Sequence, residues 1–394
     1  MAATKKDIYL ASLVPQATAL FFLMTAACCP SFAGTLPKER ADLLYHSYSG
    51  GDIEITGPSL LVRKNFKEKV SVFANYYVDQ VSSASIDVVT SGASRYSEKR
   101  TEYSLGAEYI YDKATLSVNG TQSKENDYDA KTLSFDVSQE FFGDMTTLSL
   151  GYSHGDDLVS KNENLQNDQI PFEADLSRKR YRVGLNQVIT QYWMMGLSAE
   201  TVADQGFLNN PYRSVRYKTS ETTAATQAER YPNTRNSDAI ALRSIYYLPY
   251  RASIRAEYRN FSDSWGIKAN KFELRYLHPY NKNWTFQANA HRYSQGQADF
   301  YSDLFDYVDF QTYLARDKEM SQYGSTSIGF GVFYEPQKPW LSAFDRTTIN
   351  LQFDHMMFDY KNFRDARIKD LAPGEEPLYK FNANVVRFFI SAFY

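Results

Sequence analysis

The chain has 394 residues, with 43 lysines and arginines against 46 acidic residues, five histidines and two cysteines. The balanced charge and the lack of a basic patch exclude an electrostatic nucleic-acid binder. Aromatic residues make up 15% of the chain, yet mean hydropathy is −0.49, which excludes a bundle of apolar transmembrane helices and suits a sheet with one greasy and one wet face.

Lys5 and Lys6 precede a mostly apolar run over residues 9–24, interrupted by Pro15, and Ser31-Phe32-Ala33 supplies the small residues that signal peptidase favours. Residues 1–33 are therefore expected to be a cleaved secretory signal, and residues 34–394 one exported domain. A lipoprotein signal ending at Cys28 is the competing reading, although Thr25 stands where a large aliphatic residue is usual. Cys28 and Cys29 both fall inside the signal, so the mature domain would use neither disulfides nor thiolate chemistry.

Period-two alternation, the pattern of a strand with two unlike faces, then recurs along the chain. The first strand is expected over residues 41–48, turning at Gly50-Gly51 into residues 52–65. Further on, Tyr103, Leu105, Ala107 and Tyr109 alternate with Ser104, Gly106 and Glu108. Leu133, Phe135 and Val137 alternate with Ser134, Asp136 and Ser138, and Tyr181, Val183 and Leu185 with Arg182, Gly184 and Asn186. Ile254, Ala256 and Tyr258 alternate with Arg255, Glu257 and Arg259, and Phe272, Leu274 and Tyr276 with Lys271, Glu273 and Arg275. Trp284 to Ala290 and Ile349 to Phe353 follow the same rule. The last strand carries Val386, Phe388, Ile390, Ala392 and Tyr394 on one face and Arg387 amid apolar residues on the other.

The joints alternate in length. Short ones fall at residues 67–69, 111–113, 142–144, 190–191, 249–250, 279–283 and 336–344; long ones at 82–98, 155–176, 204–237, 295–322 and 361–377. Two joints on the long side, near Asp127 and Ser262, are brief. Short periplasmic turns and long external loops are the arrangement of an outer-membrane barrel. The expected fold is thus an all-β, antiparallel transmembrane barrel of fourteen to sixteen strands, with sixteen favoured. A terminal strand ending on an aromatic, behind an export signal, resembles the closing strand of bacterial outer-membrane barrels. That resemblance implies outer-membrane lipids as surroundings and recognition of the strand ending at Tyr394 by the barrel insertion machinery.

One hairpin allows a register to be stated. If the turn over residues 261–266 is centred on Ser264, Arg255 faces Glu273, Glu257 faces Lys271, Ile254 meets Leu274 and Ala256 meets Phe272, pairing charges inside and apolar groups outside. The lumen would then be lined by Glu102, Glu108, Asp136, Glu140, Arg180, Arg182, Arg255, Glu257, Arg259, Lys271, Glu273 and Arg275. These either set pore selectivity or form a structural ladder, since buried charges must be paired.

Two loop segments stand out. Asp299, Asp303, Asp306 and Asp309 sit in ADFYSDLFDYVDF; this spacing of acids could hold calcium, but the central glycine of an EF-hand is missing, and a folded aromatic loop with solvated acids, able to constrict the lumen, is the expected outcome. In Asn209-Asn210-Pro211-Tyr212-Arg213-Ser214-Val215-Arg216-Tyr217, either the segment folds inward as a constriction or docking site through Arg213 and Arg216, or it is a strand end bulged at Pro211. Histidines occur one per region; His154 with Asp156 and Asp157 imitates part of a barrel protease, but no P-loop, zinc spacing or nucleophile elbow is found. No catalytic residue, metal or cofactor is expected.

The segments LYHSY from Leu44, ITGPSLLVRKNF from Ile55, VSSASIDVVT from Val81, SQEFFGDMTTLSLGYS from Ser138, GFLNNPYRSVRY from Gly206, YYLPYRA from Tyr246, ADFYSDLF from Ala298, LARDKE from Leu314 and GEEPLY from Gly374 resemble a bacterial outer-membrane family catalogued as domain of unknown function 3570. The resemblance implies a barrel and carries no catalytic residues. It also implies the company of a small lipoprotein, a thioredoxin-like protein and a flavin-attaching enzyme, hence a link to extracytoplasmic redox processes. The function expected is a channel or transporter for small polar solutes across the outer membrane; the alternative is a non-conducting barrel that docks a periplasmic or surface lipoprotein.

Overall fold

The computed structural model describes residues 35–83, 96–161, 172–338 and 343–394. The expected signal, the alternative at Cys28, most of the 82–98 loop and the middle of the 155–176 loop lie outside the described residues.

Eighteen strands follow in order: β1 Arg40–Gly50, β2 Ile53–Phe66, β3 Val70–Ser83, β4 Tyr96–Tyr111, β5 Ala114–Lys124, β6 Tyr128–Phe141, β7 Thr146–Lys161, β8 Phe172–Thr190, β9 Trp193–Gly206, β10 Ser214–Lys218, β11 Ala224–Ala228, β12 Thr234–Tyr247, β13 Ser253–Asp263, β14 Lys268–Pro279, β15 Trp284–Gln295, β16 Tyr323–Tyr334, β17 Arg346–Arg364 and β18 Leu378–Phe393. All but β10 and β11 form one closed sixteen-strand barrel in which each strand pairs with its sequence neighbours, β9 pairs β12, and β18 pairs β1. Every barrel pairing is antiparallel, and the closing seam runs in register from Arg40 opposite Phe393 to Gly50 opposite Ala383. The Tyr394 hydroxyl donates to the Arg63 carbonyl at 2.8 Å beside this seam. Closure satisfies the backbone groups that an open edge would leave bare, which is what permits a sheet to span lipid.

The alternation read from sequence is the one that sorts the faces. Leu105, Ile240 and Ile328 point outward and are 63%, 58% and 60% exposed, as are Leu133, Phe135, Val183, Leu274, Phe330 and Phe388. Apolar area of that extent costs about 25 cal/mol per Å² in water; lipid removes the cost, so the barrel spans a membrane. Tyr111, Phe142, Tyr192, Tyr250 and Tyr280 stand exposed at the short-turn end, forming an aromatic girdle at one interface. Among the described residues no helix is long and apolar enough to cross a membrane.

Short turns follow from backbone chemistry. Lys67 and Glu68 both adopt positive φ (51° and 57°), as do Gly51 and Asp52 (61° and 62°); paired positive φ matches the strand twist, in a two-residue hairpin between Gly50 and Ile53 and a three-residue loop between Phe66 and Val70. The first turn thus sits on Gly51-Asp52, one residue beyond the expected Gly50-Gly51.

The expected register of the β13–β14 hairpin is wrong by two positions. Arg255 stands opposite Arg275, Glu257 opposite Glu273, Ile254 opposite Tyr276 and Ala256 opposite Leu274. The cause is local. The Asp263 carboxylate accepts from the amides of Trp265 (3.0 Å) and Ile267 (2.9 Å), and Gly266 takes φ +88°, so the turn centres on Trp265 and not on Ser264. A shift of two residues keeps every side chain on its face, which is why the faces were legible although the partners were not.

Candidate functional site

The lumen wall from β8 to β14 carries most of the predicted charges. Like charges sit directly opposite on β13 and β14, an arrangement that would repel, so the pairing runs obliquely. Glu257 accepts from Arg243 (2.8 Å) and Arg255 (3.0 Å). Glu273 accepts from Lys271 (3.1 Å) and Arg275 (3.0 Å), with His291 at 3.9 Å. Glu200 takes Arg259 at 2.9 Å and lies 3.9 Å from Arg180, and Asp204 takes Arg178 at 2.7 Å. Arg182 reaches past β7 to Asp136 at 2.9 Å; Gly151 lies beneath, and a Cβ there would collide with both side chains. Gly329 gives the same clearance to Asn289 and Asp354, whose 2.7 Å hydrogen bond spans β16. Asp354 also accepts from Arg387, the cation of the last strand. Each of these pairs joins the same, adjacent or next-but-one strands, so the charges are neutralised along the wall.

At the long-loop end, four loops interlock. Strands β10 and β11 form a hairpin inside the β9–β12 loop. Lys218 N–H donates to the Phe305 carbonyl at 2.9 Å and Phe305 N–H to the Arg216 carbonyl at 2.9 Å, while Arg230 and Leu314 exchange a second backbone pair at 2.9 and 2.7 Å. Aromatic packing fills the joint: the rings of Tyr231, Trp265 and Phe300 are 5.2–5.4 Å apart within a buried cluster that includes Ile267, Ala298, Tyr301 and Ala315. Glu229 binds the backbone N–H groups of Arg316 (2.7 Å) and Asp317 (2.9 Å) and the Tyr231 hydroxyl (2.8 Å).

The predicted residues of these loops sit at the centre of this cap. Arg216 donates to Glu376 at 2.5 Å and to Asp303 at 3.0 Å; Arg316 also holds Asp303 at 3.0 Å and stacks 4.6 Å from the Phe363 ring; Arg213 pairs with Asp317. Burial raises the Glu376 carboxyl, but the Arg216 hydrogen bond and charge outweigh it and hold the group below the usual glutamate range. Glu376 belongs to the β17–β18 loop, and four strands, β13 to β16, stand between β12 and β17 in the ring. In the other direction Tyr212 reaches Asp127 in the β5–β6 turn, and Lys161 of β7 lies 5.7 Å from the Tyr212 ring. One loop touching such separated points of the rim must cross the mouth.

This geometry refines two readings. Two of the acids in the loop are solvated as expected, Asp306 beside Lys218 at 3.2 Å and Asp309 beside Arg230 at 2.8 Å, whereas Asp303 is enclosed between Arg216 and Arg316. Asp299 stands against Gly266, where a Cβ would collide with its carboxylate, and its N–H donates to the Trp265 carbonyl at 2.8 Å. The 209–217 segment is not a bulged strand end; Asn210 turns it, its side chain accepting from the Tyr212 amide at 2.9 Å, and β10 enters the cap. His154 and Asp156 lie 3.2 Å apart on the outward face, whereas Asp157 points inward to the Tyr128 hydroxyl, so the three do not converge.

Glu98, Glu125 and Asp127 escaped sequence reasoning. Their carboxylates gather within 4.8 Å of one another, where the outer end of β4 meets the β5–β6 turn beneath Tyr212. Burial pushes the Glu125 carboxyl up to about 7 against the pull of Arg100, with Asp127 and Asp79 adding to the rise. A turn of the type Glu-Asn-Asp was the only local signal; the third member comes from another strand.

Among solved structures the chain is similar to a bacterial polysaccharide outer membrane secretin, with 9% identity and TM-score 0.47 over 91% of this chain and 100% of that one. The siderophore receptor PirA from Pseudomonas aeruginosa gives 10% and 0.44 over 84% and 60%, and the CymD monoaromatic hydrocarbon channel 10% and 0.43 over 99% and 95%. Such distant likenesses say nothing of substrate. No curated protein matches the chain. A family model described as "Protein of unknown function (DUF3570)" matches residues 88–341, and the chain belongs to that family.

Proposed function

We propose that the protein is an outer-membrane channel for small polar solutes, with the interlocked loops as its gate. The observation that carries the reading is the course of the ion pairs. Glu257, Glu273, Glu200 and Asp204 neutralise their arginines along the wall and not across the lumen, which supports a polar aqueous path below a cap held by separate bonds. Planar-bilayer recording of the purified barrel tests it. The expected result is small or intermittent conductance in the native chain and a larger steady conductance once residues 209–217 are deleted; a silent barrel in both forms would refute the reading.

The second reading, a docking barrel for a lipoprotein, draws support from Tyr307, Val308, Phe310 and Tyr313, which are exposed on the cap and make an apolar patch of the kind that seats a partner. Copurification from native membranes, lost on replacing Tyr307 and Phe310 by serine, would favour it. On either reading the strand ending at Tyr394 serves as the signal for the insertion machinery.

A further inference from the structure

Glu98 is 3% exposed and Asp127 wholly buried. Both oxygens of each, and Oε2 of Glu125, lack a hydrogen bond of ordinary geometry; Glu98 and Asp127 interact with each other, Glu98 with the Asn126 backbone and Asp127 with Tyr212, and none of these brings a positive charge. Buried carboxylates without partners are costly, because an ionised oxygen removed from water must be repaid by a cation or by donors. The nearest cation does not meet the demand. Arg100 gives its Nη2 to Glu102 at 2.6 Å and its Nε to Ser123 at 2.8 Å, and stands 3.9 Å from Glu125. Burial raises the Asp127 carboxyl, and the hydrogen bond of Tyr212, reaching from the cap, only partly offsets that rise. The structure therefore holds three acids, aimed at a common point, with less than one positive charge to share.

We propose that Glu98, Glu125 and Asp127 bind a calcium ion that fastens the cap to the β4–β6 wall. Hard oxygen donors only, drawn from three carboxylates, are the donor set of calcium. Ligand atoms of all three lie within 4.8 Å of one another, close enough for each to stand about 2.4 Å from a shared ion. Magnesium demands tighter octahedral geometry and keeps several waters, which carboxylates as buried as Glu98 and Asp127 oppose. The site stands apart from the channel reading: it needs the cap and the wall, and it holds whether or not the lumen conducts.

The test uses the full mature barrel in detergent, freed of metal with EDTA, its folding checked by heat-modifiable mobility on gels. Calorimetric titration with calcium chloride should show one saturable site, and magnesium chloride a site at least about tenfold weaker. Bound terbium should luminesce under tyrosine excitation and be displaced by calcium. Asp127→Asn and Glu98→Gln should each weaken calcium about tenfold or more, since affinity follows ligand charge. In EDTA, Asp127→Asn should melt no lower than the native chain, because it relieves repulsion; in calcium, only the native chain should gain stability. Absence of binding at millimolar calcium, equal affinity for magnesium, unchanged binding in both variants, or a loss of stability by Asp127→Asn in EDTA would each overturn the proposal. If Asp127→Asn does not fold, Glu98→Gln decides alone.

Discussion

The wall from β8 to β14 and the corner at Glu98, Glu125 and Asp127 bury charge in opposite ways. On the wall each acid pairs with at least one base, and Glu273 lies between two, Lys271 and Arg275. At the corner three acids converge and their one neighbouring arginine is committed elsewhere. The wall is self-sufficient, so its role is to be stable and wet; the corner is incomplete, so it is placed to respond to something outside the chain. The cap joins the two, resting on ion pairs of the first kind and on Tyr212 over the second.

The largest effect should come from breaking the cap's enclosed triad. Arg316→Ala leaves Asp303 with one base in place of two, and removing a partner from a buried pair costs about 3–5 kcal/mol. Hydrogen exchange should rise across residues 207–233 and 296–322 while the strands stay protected; uniform loss of protection would show that cap and barrel are a single unit. Glu273→Gln strips the counter-charge from Lys271 and Arg275 and should cost about 3 kcal/mol. If the lumen conducts, the reversal potential in a salt gradient should move toward anion preference. No change in either quantity would dissolve the contrast between wall and corner.

Acid should loosen the cap more gently. Glu376 is depressed in the folded protein by Arg216 below its ordinary value of 4.5. A lowered carboxyl contributes stability that is present above that ordinary value and lost as pH falls through the folded one. Opening events should therefore become more frequent below about pH 4.5, and Glu376→Gln should remove most of that dependence. The smallest effect belongs to Lys113 and Asp144, a solvent-accessible pair at 2.6 Å on the short-turn rim. Lys113→Ala should leave melting temperature and conductance unchanged, as solvent-screened pairs do; a measurable loss would mean that the rim is bound in place by charge after all.

Much of this architecture was legible before any fold was known, because strand faces are a local property. Leu105 and Glu108, or Val183 and Arg182, differ in parity, and parity alone sends one to lipid and the other to the lumen. Turn lengths likewise follow from neighbouring residues such as Phe142-Gly143-Asp144. The register at Arg255 was not legible, since it depends on how Asp263 folds the turn around Trp265, and a two-residue slip leaves every pattern intact. The cap segment at Arg213 and Arg216 could be singled out by composition, but its partners could not: Glu376 lies 160 residues from Arg216.

Sequence by itself determined the period, the two-faced ribbon and a barrel of fourteen to sixteen strands, since alternation is set by the geometry of each residue and its nearest neighbours; it did not show the β10–β11 hairpin. Tertiary structure alone decided which acid meets which base, how loops from separate parts of the rim cross the mouth, and that Glu98 joins Glu125 and Asp127. Those depend on closure of the ring, which brings together groups that the chain keeps far apart.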